Sequence, residues 1–330
     1  MAVETLTKPP RAVARTTQTG PASGPRRQWW DRRGVVPYLL IAPAVLFELL
    51  VHVIPMVAGV VMSLFSLTLF TIHHWSTAPF AGFANYHVAL NFNGPIGRAL
   101  LQSFEITVPY TILVVGISWV IGMVAAVGLN SEFRGRGWLR SVFLLPYAMP
   151  LYVGIIVWSF MLQRNNGVVN NVLQHDLHLL GTAPFWLLGN KAFWAIVATA
   201  VWRWFPFAFL MLLAALQNIP GELYEAAVVD GAKPWRQFRS ITLPSVRGAN
   251  LVLVLVMFLW TFNDFNTPYV LFGSAPPNAA DLLSLHIYIV SFGSWNFGLG
   301  SAMSVVLMVF LFLVSLVYLR VAGRKGELNF

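Results

Sequence analysis

The sequence predicts an all-α membrane protein with six transmembrane helices. Three observations carry that class. Of its 330 residues 57% are hydrophobic and only 10% are charged, with a mean hydropathy of +0.68, whereas a soluble domain carries about 25% charge. Six apolar windows reach the roughly 20 residues that cross a bilayer: 36–66, 103–129, 140–162, 193–216, 249–272 and 298–321. Basic residues then separate by side. Lys8 to Arg33, Arg134, Arg136, Arg140, Lys233, Arg236, Arg239, Arg247, Arg320, Arg324 and Lys325 all lie in alternate connections or at the termini, and the other three loops hold only Arg98, Arg164 and Lys191. The excess of positive charge marks the cytoplasmic side, so both termini and the 217–248 loop are expected inside.

Residues 1–34 are rich in Pro, Thr and Arg and lack apolar periodicity, the composition of a disordered cytoplasmic tail. No apolar core near the start and no small-residue cleavage site mark a signal peptide, so the first apolar run reads as an uncleaved span. That run is long enough to tilt. Residues 35–330 then form one six-span permease domain. The three external loops are short and carry aromatics and prolines, which suits docking rather than independent domains. No internal repeat is visible.

The most polar connection, 217–248, holds the clearest local pattern. Leu223, Ala226 and Ala227 recur at helical spacing and give a short helix with an apolar face. The two alanines let a partner surface come close. Asp230-Gly231 signals a turn, because glycine tolerates the left-handed conformation that closes a helix. Pro234 suits the first turn of a second helix, Trp235, Phe238 and Ile241 share its face, and Pro244 is expected to end it. The outcome is a rigid L at the membrane surface, able to carry force.

The run Glu225-Ala226-Ala227, with Gly231 four residues on and Ile241-Thr242-Leu243-Pro244 after nine more, resembles the coupling loop of ABC importer permeases. Glu225, Ala226, Ala227, Asp230, Gly231, Ala232, Leu243 and Pro244 are the positions the resemblance assigns to contact with an ATPase. Further matches resemble the carbohydrate, maltose-type branch: Pro43, Pro55 and Ser63 in the first span, Gly82 to Tyr86 outside, Leu145-Pro146 and Trp158, Gly167 and Asn170, Phe262 to Phe265, and Gly298 to Ala302. Gly273-Ser274-Ala275-Pro276-Pro277 departs from the Gly-Gly-Pro often found in that branch, which leaves the sugar unassigned. The resemblance implies a type I ABC importer permease fold and a bacterial inner-membrane location. It also implies four kinds of partner: a second permease, two cytoplasmic ATPases, an extracytoplasmic solute-binding protein and the lipid membrane. ATP and Mg would bind the ATPases, and this chain would hold no cofactor.

Charges within spans are costly and therefore mark candidate sites. Arg203 lies in the fourth span and Asp264 in the fifth, between Asn263 and Asn266. The two charges could pair structurally or line a pathway. Pro206 and Pro268 each remove a helical donor, from the carbonyls of Trp202 and Asp264, and freed carbonyls at membrane depth are tolerated where protein or a cavity satisfies them. Sugar rings pack on aromatic faces while their hydroxyls need amide and carboxylate partners. The candidate pathway residues are therefore Tyr147, Trp158, Arg203, Phe262, Asn263, Asp264, Phe265 and Asn266. Trp202, Trp204 and Tyr269 are further aromatics of this kind.

Other chemistries find no support. The chain has no cysteine, which excludes disulfides and thiol catalysis, and the histidines show no metal-ligand spacing. No G-x-x-x-x-G-K-[ST] loop is present to cradle nucleotide phosphates, and the dispersed basic clusters do not form a nucleic-acid patch. Three alternatives stay open at this level. One is a permease for a non-sugar solute. Another is an ion-driven secondary transporter with Arg203 and Asp264 as relay, which would call for inverted repeats and leaves the Glu225 loop unexplained. The last is a membrane scaffold, which would need no polar groups inside its spans.

Overall fold

The computed structural model describes residues 36–324; the basic N-terminal tail and Lys325 lie outside them. The chain divides into two compact units, 1–56 and 57–330. In the described part of the first unit the chain is helical, within the apolar helix Pro37–Met62, and its side chains are almost all exposed. A lipid-facing helix can be apolar all round, since hydrocarbon demands no polar face.

The second unit is built on two long helices, Pro95–Asn130 and Lys191–Gln217. These are the second and fourth spans, and they pack on each other along much of their length. Small residues permit the close approach: a Cβ on Gly122 would lie 2.8 Å from both the Ala208 Cβ and the Phe209 backbone nitrogen. Small-residue contacts are the usual basis of helix packing in membranes, where van der Waals fit rather than hydrophobicity drives association. Met123, Ala126, Leu129, Phe209, Leu212 and Leu216 continue this seam into one buried core, and Leu253 and Met257 of the fifth span join it. The sixth span, Phe297–Arg324, closes a second core with Phe262, Leu299, Met303 and Leu307.

Two expected spans are not continuous. The 140–162 window is two helices, Arg136–Ala148 and Leu151–Met161, bent by 92°. Pro150 causes the break: the residue before a proline is pushed out of the α region, and Met149 is extended at ψ 141. The 249–272 window is Arg247–Phe262 followed by Asn266–Phe272. Pro268 therefore does not interrupt a helix interior, because the helix has already ended before Asp264. Pro268 sits in the first turn of a new helix, where its missing N–H is one of the donors left unpaired anyway. A further short apolar helix, Leu283–Gly293, precedes the sixth span and was not expected from hydropathy, being too short to cross.

Several residues that resemble the carbohydrate branch form a tight junction before the sixth span. The Asn85 amide donates to the carbonyls of Ser63 at 2.8 Å and Phe65 at 3.0 Å, and the Ser63 and Tyr86 hydroxyls lie 2.6 Å apart. Gly298 presses on this turn, where any Cβ would strike the Phe65 carbonyl oxygen. Asn170 does similar work in the loop after the third span, donating to three carbonyls and accepting from the Trp186 indole at 2.8 Å.

Candidate functional site

The 217–248 loop folds as a short helix, Gly221–Val229, a left-handed corner, and a second helical stretch from Pro234 to Ser245. Asp230 caps the first helix and Gly231 takes φ +73. The corner closes by two bonds: the Ala232 N–H donates to the Ala227 carbonyl at 2.8 Å and the Gly231 N–H to that of Val228 at 3.0 Å. This pairing satisfies carbonyls that a helix end leaves open, and it needs a positive φ at the glycine. The Gln237 amide then donates to the Ala232 carbonyl at 2.8 Å, and the Tyr224 and Thr242 hydroxyls meet at 2.9 Å across the L. Phe238, Leu243 and Val246 anchor the base in the core formed by the second and fourth spans.

Glu225, Ala226, Val228, Val229 and Asp230 are exposed on the outer arm, with Trp235 beside them in the chain and also exposed. Pro244 does not end the second stretch as expected. The stretch widens into a π-turn over Phe238–Thr242, and Pro244 occupies the first turn of the helical segment that follows. The chain then turns at Val246 into the fifth span. Leu243 is half-buried and Pro244 exposed.

The second constellation lies where the two broken spans face the fourth. Tyr147, Leu151, Arg203, Trp204, Leu259, Trp260, Asn263, Asp264, Asn266 and Thr267 line an open cavity of about 840 Å³. Residues beside both helix breaks line it: Tyr147 and Leu151 at the first, Asn263, Asp264 and Asn266 at the second. The Trp204 and Trp260 rings stack at 5.3 Å with 30° between planes, a flat apolar surface. Tyr147 stacks on Phe207 at 6.1 Å. The Tyr152 hydroxyl donates to the Asn266 side-chain Oδ1 at 3.2 Å and so links the second half of the third span to the second half of the fifth. Asn263 is exposed and also lines a smaller adjoining cavity with Ser284 and Ser304.

Arg203 and Asp264 share this wall without a contact ion pair. Asp264 is buried; its Oδ2 accepts from the Tyr110 hydroxyl at 2.6 Å and its Oδ1 from the Thr267 N–H at 3.0 Å. It thus holds the first turn of the helix that begins at Asn266 and ties it to the second span. The Arg203 Nε is buried with no hydrogen-bond partner among the described residues, and its guanidinium carbon lies 5.8 Å from the Trp204 ring centroid.

Of the expected pathway residues, Tyr147, Arg203, Asn263, Asp264 and Asn266 come together in this cavity. Phe262 does not: it is buried in the core, edge-on to Phe104 at 5.9 Å and tilted on Phe310 at 5.3 Å. Phe265 stacks on Tyr269 at 4.8 Å, and Trp158 meets Trp202 edge-on at 6.0 Å. Neither lines the cavity. Sequence reasoning missed Tyr110, Tyr152, Trp260 and Thr267. For Tyr110 a signal existed: a buried carboxylate needs donors, and a tyrosine in a neighbouring span is one of the few side chains that can supply one.

Comparison with known proteins agrees with this architecture. Residues 118–326 match the model of the family described as binding-protein-dependent transport system inner membrane component. The chain is 35% identical over 290 residues, 88% of its length and 94% of the relative's, to the inner membrane ABC transporter permease protein YcjO of Escherichia coli (strain K12). It is 33% identical over 301 residues, 90% of its length and 96% of the relative's, to the trehalose/maltose transport system permease protein MalF of Thermococcus litoralis. In fold it is similar to a chain in the crystal structure of a bacterial alginate ABC transporter in complex with an alginate pentasaccharide-bound periplasmic protein. There the TM-score is 0.73 at 21% identity, over 91% of this chain and 98% of that one. The chain therefore has the type I ABC importer permease fold and belongs to the family of binding-protein-dependent transport system inner membrane components.

Proposed function

We propose that this chain is the translocation subunit of an ATP-driven importer for a sugar or related polyol. It supplies half of the pathway, and a second, different permease supplies the other half. Two cytoplasmic ATPases bind ATP and Mg and perform the hydrolysis; this chain has no nucleotide-binding loop and works without a cofactor of its own. An extracytoplasmic solute-binding protein delivers the solute. Both termini and the 217–248 loop face the cytoplasm, a placement supported by the distribution of arginine and lysine.

The cavity between the two broken spans carries the sugar reading. Its two amides offer donors and acceptors, Arg203 offers a planar fork of donors, and the stacked Trp204–Trp260 pair offers a face for C–H groups. The names of relatives support it: MalF of Thermococcus litoralis is a trehalose/maltose permease and SugA of Mycobacterium tuberculosis, 30% identical over 315 residues, a trehalose permease.

Coupling runs through the L-shaped loop. Glu225, Ala226, Ala227, Asp230, Gly231 and Ala232 form the arm gripped by an ATPase, and Leu243 and Pro244 form the hinge to the fifth span. Closure of the ATPases on ATP moves the arm, the corner at Gly231 keeps the two stretches at a fixed angle, and the fifth span carries the displacement to the cavity. Hydrolysis returns it.

Reconstitution in liposomes tests this reading. The chain alone is expected to insert but to move no sugar, and the assembly with a second permease, the ATPase and the loaded binding protein to import sugar only with ATP. Ion-driven uptake by liposomes holding this chain alone would refute it.

A further inference from the structure

Tyr110 is a fully buried polar side chain that the transport reading leaves without a role. Its hydroxyl donates to Asp264 Oδ2 at 2.6 Å, and the Thr267 N–H donates to Oδ1 at 3.0 Å. Both carboxylate oxygens are thus engaged by donors of the protein itself. Across the same cavity Arg203 forms no hydrogen bond or contact ion pair with the described residues, although Asp264 lies within electrostatic reach. A carboxylate and a guanidinium lining one partly wet cavity attract each other, and their bidentate pairing is among the strongest polar contacts a protein makes. The two donors to Asp264 are the contacts that fix its carboxylate where it is.

The geometry points to Tyr110 as a positioning residue that sets the charge of the cavity: by holding the Asp264 carboxylate it keeps the Arg203 guanidinium available to substrate oxygens. Without the Tyr110 hydroxyl, one carboxylate oxygen loses its donor and turns to Arg203. The guanidinium is then spent on an internal pair, and a substrate has to break that pair to reach it. The final step, binding of substrate oxygens, rests on the sugar reading above; the relation among Tyr110, Asp264 and Arg203 does not.

A charge probe in the cavity separates the two. The chain has no cysteine, so Asn263→Cys gives it a single thiol at an exposed position on the cavity wall. In the full complex, with cysteine-free partners, the modification rates by sulfonatoethyl and trimethylammonioethyl methanethiosulfonate are compared. With Tyr110 present the anionic reagent gains from the unpaired Arg203. Adding Tyr110→Phe is expected to lower the anion-to-cation rate ratio about fivefold, the effect of neutralising one nearby charge in a partly wet site. Adding Asp264→Asn to that chain is expected to restore the ratio, because the amide no longer neutralises Arg203. A ratio unchanged by Tyr110→Phe, or not restored by Asp264→Asn, overturns the proposal. Should Tyr110→Phe fail to assemble, Arg203→Gln in the Asn263→Cys chain carries the test, and an anion preference that survives it overturns the proposal equally. Sugar uptake is measured in parallel, with Asn263 intact. A wild-type complex that imports no sugar refutes the sugar reading and leaves the reagent ratios to decide the role of Tyr110.

Discussion

In the 217–248 loop the corner of the L is set within one short stretch of chain by backbone conformation: Asp230 caps, Gly231 turns, Pro234 restarts. In the membrane cavity Tyr147, Arg203 and Asn263 come from three different spans, and each is placed by a break or a packing contact elsewhere. The loop can therefore fail at one dihedral angle while the helices around it stay packed. The cavity fails only when helices shift. This contrast assigns force transmission to a locally rigid element and solute contact to an assembled one.

The contrast makes different demands on two glycines. Gly122 needs space: a Cβ there lies 2.8 Å from the Phe209 backbone nitrogen. Gly122→Val is expected to have the largest effect of all, loss of the assembled protein from the membrane, since overpacking costs about 1–3 kcal/mol or more and here meets backbone. Detergent-stable yield measures it. Gly231 needs only its angle, because nothing lies within 4 Å of a Cβ built there.

Asp264→Ala comes next. It leaves the buried Tyr110 hydroxyl and the Thr267 N–H without their acceptor, a loss of about 1–3 kcal/mol for each buried group left unsatisfied. Uptake should fall sharply and complex yield moderately. If Arg203 and Asp264 were a structural ion pair, Arg203→Ala in the same chain would recover yield. Without a contact between them, the double variant is expected to stay at the lower yield, and recovery would contradict the placement of Tyr110. The smallest effect belongs to Tyr224→Phe, which removes the 2.9 Å bond to Thr242. That bond is worth about 0.5–1.5 kcal/mol, so uptake should drop modestly and yield should not change.

The two regions also differ in how far they could be read from the sequence. Asp230, Gly231 and Pro234 declare themselves because a cap, a turn and a first-turn proline follow from local chemistry at fixed spacing. The cavity was half legible. Charged and amide residues inside apolar windows singled out Arg203, Asn263, Asp264 and Asn266, and the structure gathers all four. Its aromatic wall was legible only in part: Tyr147 and Trp204 were singled out and line it, while Trp260 was not. Whether Phe262 or Trp260 faces the cavity depends on where the fifth helix breaks, and hydropathy reports apolar length without direction. Pro150 and Pro268 were visible as residues, but a proline in an apolar run fits a kink, a break or a new first turn equally well. Only neighbours such as Tyr110, distant in sequence, select among them.

The division of labour is tested most directly by reading ATP hydrolysis and sugar uptake in the same reconstituted complex for Gly231→Val and Arg203→Ala. In Gly231→Val a β-branched side chain must adopt φ +73, a left-handed conformation that costs about 1–2 kcal/mol. The arm should lose its angle, so hydrolysis stimulated by the loaded binding protein and uptake should both vanish while assembly persists. In Arg203→Ala the loop is untouched, so stimulated hydrolysis should remain while uptake falls. Retained stimulation in Gly231→Val, or joint loss of both activities in a fully assembled Arg203→Ala complex, would contradict the account.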